Sequence, residues 1–202
     1  MSVDPRADLD GVDPSPLPGS SANFRTTALH EPDARRMLLV PSLGLRVAAV
    51  ALVALGLAIP VVLFARTGPG EAWGLVGTAV FSQIFTLAGV LFWLTPLRVE
   101  FDLDEGVARV RTVGGREELP LAGILAVQIA DGGVHRTSKG GTYRTCQMNL
   151  VLADRARPRL GLSNHTRVAW TYDAGRRLAE FLGVPLVDSA GAGTPRPGSP
   201  PD

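Results

Sequence analysis

Two long stretches of this chain contain no charged side chain: residues 47–65 and residues 73–94. They are 19 and 22 residues long. At about 1.5 Å per residue they span roughly 28 and 33 Å as helices, which matches a bilayer core of ~30 Å. Two buried helices of a soluble protein would need an apolar shell, and the rest of the chain is too ordinary in its charge to provide one. A cleaved signal peptide is not expected either, because 46 residues precede the first stretch and no short basic segment opens the chain. The pattern predicts a transmembrane helical hairpin.

The linker Arg66-Thr67-Gly68-Pro69-Gly70-Glu71-Ala72 is short and rich in helix breakers, so the two helices are expected to be antiparallel neighbours. Trp73 and Trp93 stand at opposite ends of the second span, where indole rings anchor at the headgroup level, and Arg46 and Arg98 flank the hairpin. Gly74, Thr78, Ser82 and Thr86 recur every four residues and form a small, weakly polar face. Such a face lets helix backbones approach closely, either within the hairpin or against a partner's helix. Gln83 is the most polar residue in either span and is expected to hydrogen-bond across the hairpin. Pro60 is a candidate kink in the first span. Arg35, Arg36 and Arg46 before the hairpin and Arg98 after it outnumber Arg66 in the linker. The excess places both termini in the cytoplasm and the protein in the inner membrane.

The charges exclude several classes. Twenty Lys+Arg against nineteen Asp+Glu leave a formal net charge of +1, so no global field attracts nucleic acid. One cysteine, Cys146, precludes a disulfide scaffold. His30, His135 and His165 lack metal-ligand spacing. Ser138 and Ser163 lack a nucleophile-elbow context, and Cys146 faces the core by strand parity. No catalytic residue, metal or cofactor is expected, and the partners expected are the bilayer and an unidentified protein.

Outside the hairpin region (35–96), residues 1–34 and 189–202 read as polar, Pro-rich disordered tails. Residues 97–188 read as a folded module. Leu97, Val99, Phe101 and Leu103 alternate with charged residues, the period of a half-buried strand. Glu105-Gly106 and Gly114-Gly115 turn a meander, a strand follows over 124–129, and a Gly-rich loop is expected over 131–142. A long strand over 143–152 and a short one over 159–162 come next. Trp170, Ala174, Leu178 and Phe181 then mark an amphipathic helix that Gly183 and Pro185 stop. The fold class is α+β: a hairpin followed by a small antiparallel sheet or barrel capped by a helix.

This order resembles a pleckstrin-homology-like (PH-like) module, and the whole of residues 40–188 resembles the bacterial membrane proteins that carry two spans followed by such a domain. The resemblance rests on residues 99–103, the segment from Leu119-Pro120-Leu121 to Gln128, residues 143–152, and Arg177-Leu178-Ala179-Glu180-Phe181-Leu182-Gly183-Val184-Pro185-Leu186. Lipid-binding members of that family carry a basic cluster between their first two strands. Here that loop is Asp104-Glu105-Gly106, which is acidic. The resemblance therefore implies a non-enzymatic, membrane-anchored scaffold. The alternative is an accessory or assembly subunit of a larger membrane complex, engaging partners through the small-residue face of the second helix. Two basic groups are candidates for headgroup or partner contact: Arg155, Arg157 and Arg159, and Arg136, Lys139 and Arg144.

Overall fold

The computed structural model describes Ser15, Leu17 and residues 26–66, 72–94, 97–112, 114–136, 140–154, 159–165 and 168–189. The chain is α+β. A strand pair comes first, β1 (Thr27–Asp33) and β2 (Arg36–Pro41). Two apolar helices follow, α1 (Leu43–Arg66) and α2 (Ala72–Leu94). Then come β3 (Arg98–Asp102), β4 (Val107–Thr112), β5 (Gly115–Pro120), β6 (Ile124–Arg136), β7 (Thr142–Leu152), β8 (Arg159–His165), α3 (Val168–Leu182) and β9 (Leu186–Asp188).

The strands form a five-stranded sheet in the order β1-β2-β3-β4-β5 and a four-stranded sheet in the order β8-β7-β6-β9. The first is wholly antiparallel. In the second, β9 pairs parallel to β6. Strands β1 and β2 correct the sequence reading, which placed residues 27–34 in a disordered tail and 35–41 on the approach to the hairpin. Burial alternates there, with Met37 and Leu39 fully buried and Leu38 and Val40 half-buried, but the run Met37-Leu38-Leu39-Val40 is apolar throughout and shows no period of two.

The inward rows are simple. Met37, Phe101 and Ala108 lie opposite one another across β2, β3 and β4, as do Leu39, Val99 and Val110. The ring of Phe101 sits beside the small Ala108, so the row fills without a clash. These side chains share one core with Val127, Ile129, Met148, Leu150 and Leu160 of the second sheet and with Ala174, Leu178 and Ala179 of α3. Helix α3 buries Thr171, Ala174, Gly175, Leu178 and Ala179, one face at the 3.6-residue period. It ends at Gly183, at φ +66°, with Val184 N–H donating to Ala179 C=O at 3.0 Å.

Strand β6 runs through residues 131–136, where a loop was expected. Gly132 and Gly133 serve a bulge between Asp131 and Gly133, with Gly133 at φ +86°. A Cβ on Gly132 would stand 2.2 Å from Thr145 Oγ1, so the packing of β7 requires glycine there. Cys146 is buried as its strand parity predicts, and burial pushes its thiol up to about 11.

The two helices are each long and apolar enough to cross a membrane. Ser42 caps α1, its Oγ accepting from Leu45 N–H at 3.2 Å, and α1 continues unbroken through Pro60. The hairpin is inserted between β2 and β3, which are hydrogen-bonded neighbours with Leu39 opposite Val99. Both ends of the hairpin therefore leave from the same side.

The β3–β4 turn is held by Asp102. Its Oδ1 accepts from Asp104 N–H at 3.0 Å and from Glu105 N–H at 3.1 Å, and its Oδ2 pairs with Arg36 at 3.2 Å. The Glu105 N–H outweighs the penalty of burial and, with the Asp104 N–H and the guanidiniums of Arg36 and Arg109, holds this carboxyl below its ordinary range. A carboxyl depressed in the folded state adds stability above its unfolded pKa of ~3.9 and loses it as pH falls through the folded value. Asp102→Asn is therefore expected to melt below the wild type at pH 7. The gap should close as the pH falls below about 4 in melts followed by circular dichroism. A gap that stays constant with pH would show that the charge is not what stabilises the turn.

Candidate functional site

The outer face of the five-stranded sheet carries its charges in rows. Glu100, Arg109 and Glu118 lie opposite one another across β3, β4 and β5. Arg109 is surrounded by carboxylates: it pairs with Glu105, with Glu118 at 3.4 Å, with Asp102 at 3.8 Å and with Glu100 at 3.9 Å. Arg109 is thus committed within the sheet, and Arg36 with Asp102 and Arg35 with Asp104 at 2.8 Å are paired as well, so this part of the face carries more carboxylates than guanidiniums.

The next row, nearer the hairpin, is different. Arg98 stands opposite Arg111, and Arg111 opposite Arg116. All three are exposed. Among the described residues none of the three, nor Arg46, has a carboxylate at ion-pair distance. Like charges directly opposite on neighbouring strands destabilise a sheet. Three in one row, with no counter-ion among the described residues, make a surface suited to an external anion. Arginine presents a planar fork of donors that matches a phosphate or carboxylate in bidentate fashion.

Two grooves meet at this row. Pro41, Leu45, Arg46, Phe92, Trp93 and Arg98 line one of about 180 Å³. Trp93, Leu94, Arg98, Arg111 and Thr112 line another of about 260 Å³. The first combines apolar walls from α1 and α2 with Arg46 of α1 and Arg98 of β3, and the second sets the end of α2 against Arg98 and Arg111 of the sheet. This arrangement offers an acyl-compatible surface and an anion-compatible one side by side.

The other residues singled out by sequence are scattered. Trp93, Arg46 and Arg98 come together as described, but Trp73 and Gly74 lie on a turn of α2 whose side chains are outside the described set. Ser82 is fully buried and Thr86 half-buried against α1: a Cβ on Gly56 would stand 2.2 Å from Thr86 Oγ1 and 2.8 Å from Ser82 O. Thr78 is half-buried. The small face is thus used within the hairpin. Ser82 satisfies its hydroxyl on Ala79 O at 2.8 Å. Gln83 corrects the sequence reading: it is exposed, on the outside of the hairpin, rather than bonded across it. Its position one residue after Ser82 turns it about 100° away from the packed face.

Of the two basic groups, Arg136, Arg144 and Arg159 lie among the described residues. Arg144 is taken up by Asp131, at 2.5 and 3.1 Å, and its hydrogen bonds hold that carboxyl below its ordinary range. Arg136 is exposed at the end of β6. Arg159 donates to Ser15 O at 2.5 Å. Lys139, Arg155 and Arg157 lie outside the described residues. Arg111 and Arg116 were not singled out in the sequence, although the Gly114-Gly115 turn contained the signal: pairing Thr112 with Gly115 puts Arg111 opposite Arg116. Among the described residues no group of three His, Cys, Asp or Glu is placed to hold a metal ion. A scan against protein-family models finds no match for this chain, and a search of the curated proteins finds none either.

Proposed function

We propose that the protein is a membrane-anchored, non-enzymatic scaffold whose folded module rests on anionic lipid headgroups through Arg98, Arg111 and Arg116. The observation that carries this reading is the arginine row at the hairpin end of the sheet, which has no carboxylate partner among the described residues. The hairpin supplies the anchor, because its helices match a bilayer core in length and hydropathy. Insertion of α1 and α2 brings β3–β5 to the headgroup level, where each basic side chain contributes ~1 kcal/mol against an anionic surface. Trp93 is the interfacial anchor beside it. The arginine excess around the hairpin orients both termini to the cytoplasm of the inner membrane. The PH-like resemblance fits this reading as a fold without a basic first loop: headgroup contact comes from the ends of β3 and β4 instead.

A second reading, an accessory subunit of a larger membrane complex, has one observation in its favour, the outward Gln83. An amide facing lipid gains from a hydrogen-bonding helix. The contact would then use the Gln83 face, since the small-residue face is occupied within the hairpin.

The test is hydrogen exchange on the full-length chain in nanodiscs of zwitterionic lipid with and without an anionic phospholipid. Slower exchange in β3–β5 with the anionic lipid is expected, and equal exchange in both would overturn the headgroup reading. Protease digestion of inverted vesicles is expected to remove the module, and protection there would reverse the orientation.

A further inference from the structure

We propose that the polar face of the four-stranded sheet is a binding site for an extended, proline-flanked leucine peptide, and that the chain's own Leu17 occupies it. This goes beyond the headgroup reading and does not depend on it.

Strand β7 is buried on both faces from Thr145 to Leu152. Cys146, Met148, Leu150 and Leu152 belong to the core. The opposite face carries Gln147 and Asn149, with Asn164 opposite Gln147 on β8 and Gln128 opposite Asn149 on β6. Four carboxamides thus lie together on one sheet face. A carboxamide offers one carbonyl and one NH₂, the same chemistry as a peptide group. Buried amides are stable only when something satisfies them.

Part of that requirement is met by the N-terminal segment. Gln147 Oε1 accepts from Leu17 N–H at 2.7 Å, and Gln147 Nε2 donates to Leu17 C=O at 2.9 Å. One side chain therefore reads both polar groups of one residue, as a neighbouring strand would. Arg159 holds the Ser15 carbonyl. The Leu17 side chain lies over Gly161: a Cβ there would stand 3.4 Å from Leu17 Cδ1 and 3.6 Å from Asn149 Oδ1. Two acceptors remain. Asn149 Oδ1 and Asn164 Oδ1 are buried with no hydrogen-bond partner among the described residues, and Asn149 is only 1% exposed. They are places for donors of a bound peptide.

The occupant's composition suits the site. The sequence reads Pro14-Ser15-Pro16-Leu17-Pro18-Gly19. Prolines on both sides favour an extended backbone and reduce the entropy lost on binding. Recognition through main-chain hydrogen bonds plus one side-chain pocket is the logic of extended-peptide sites generally. A peptide from a partner must compete with Leu17 for the Gln147 carboxamide.

The experiment uses the full-length chain in detergent and a fluorescent peptide with the sequence of residues 13–21, followed by fluorescence anisotropy. Leu17→Asp in the chain removes the side chain that competes for the site. The peptide is expected to bind that variant about tenfold or more tightly than the wild type, since a site closed nine-tenths of the time loses that factor in apparent affinity. Gln147→Ala added to Leu17→Asp should abolish binding, and a peptide carrying Asp in place of its leucine should not bind the Leu17→Asp chain. Absence of peptide binding to the Leu17→Asp chain, or equal binding of the two peptides, would overturn the proposal.

Discussion

Replacing Arg98, Arg111 and Arg116 together with glutamine is expected to weaken binding of an anionic phospholipid about a hundredfold. Each arginine near an anionic surface contributes ~1 kcal/mol, and three of them amount to roughly two factors of ten. The measurement is a lipid titration of the detergent-solubilised full-length chain, read by native mass spectrometry. Two features separate this effect from a general loss of charge. The first is salt: exposed charges are screened over ~10 Å at 0.1 M, so the wild type should approach the variant as ionic strength rises. The second is Arg109→Gln. Arg109 lies one row further from the hairpin and is committed to Glu100, Asp102, Glu105 and Glu118. Its loss should leave lipid binding intact while lowering the melting temperature. The triple replacement should if anything relieve the sheet, because it removes like charges facing one another. A triple variant that binds lipid as the wild type does would remove the arginine row from the function.

The second large effect lies in the hairpin. Gly56→Val with Gly89→Val is expected to lower the melting temperature in detergent by on the order of 10 °C, from about 1–3 kcal/mol of overpacking at each site. A Cβ on Gly56 would meet Thr86 N at 2.7 Å, and one on Gly89 would meet Ala49 O at 2.6 Å. Both obstacles are backbone, so no side-chain rotation relieves them and the helices must part. Gly77 is the control. It lies on α2 too, but a Cβ there has nothing within 4 Å. Gly77→Val should leave the melting temperature unchanged, as size-exclusion profiles after heating would show. Equal losses at Gly77 and at Gly56 would mean that helix propensity, not close approach, is the cause.

The parts of the fold legible in the sequence are those where one local pattern decides. The uncharged stretches 47–65 and 73–94 lie within the helices Leu43–Arg66 and Ala72–Leu94. The alternation at Val99 and Phe101 and the four-residue spacing from Ala174 to Leu178 likewise gave β3 and α3. What was hidden depends on distant partners. Met37 and Leu39 are buried because β3 covers their edge, and β3 lies across the whole hairpin from them. Gly132 reads as a loop residue until Thr145 is seen pressed against it. Gln83 points outward because Ser82 is the residue that faces Gly56. The arginine row was half visible: the turn at Gly115 fixes Arg111 against Arg116, but Arg98 joins them only through the register of β3 with β4. The role of Leu17 had no local signal, since its hydrogen bonds go to Gln147, 130 positions away.

The insertion of the hairpin between β2 and β3 also dictates an order of events during synthesis. The nascent chain emerges with β1 and β2 first, and their sheet partner follows only after both helices have been made. At ~5–20 residues per second the 56 residues from Ser42 to Leu97 occupy several seconds. Throughout that time Met37 and Leu39 have no β3 to cover them. The five-stranded sheet closes only when α2 has brought the chain back to the side it left, so a completed sheet reports that the hairpin has turned around.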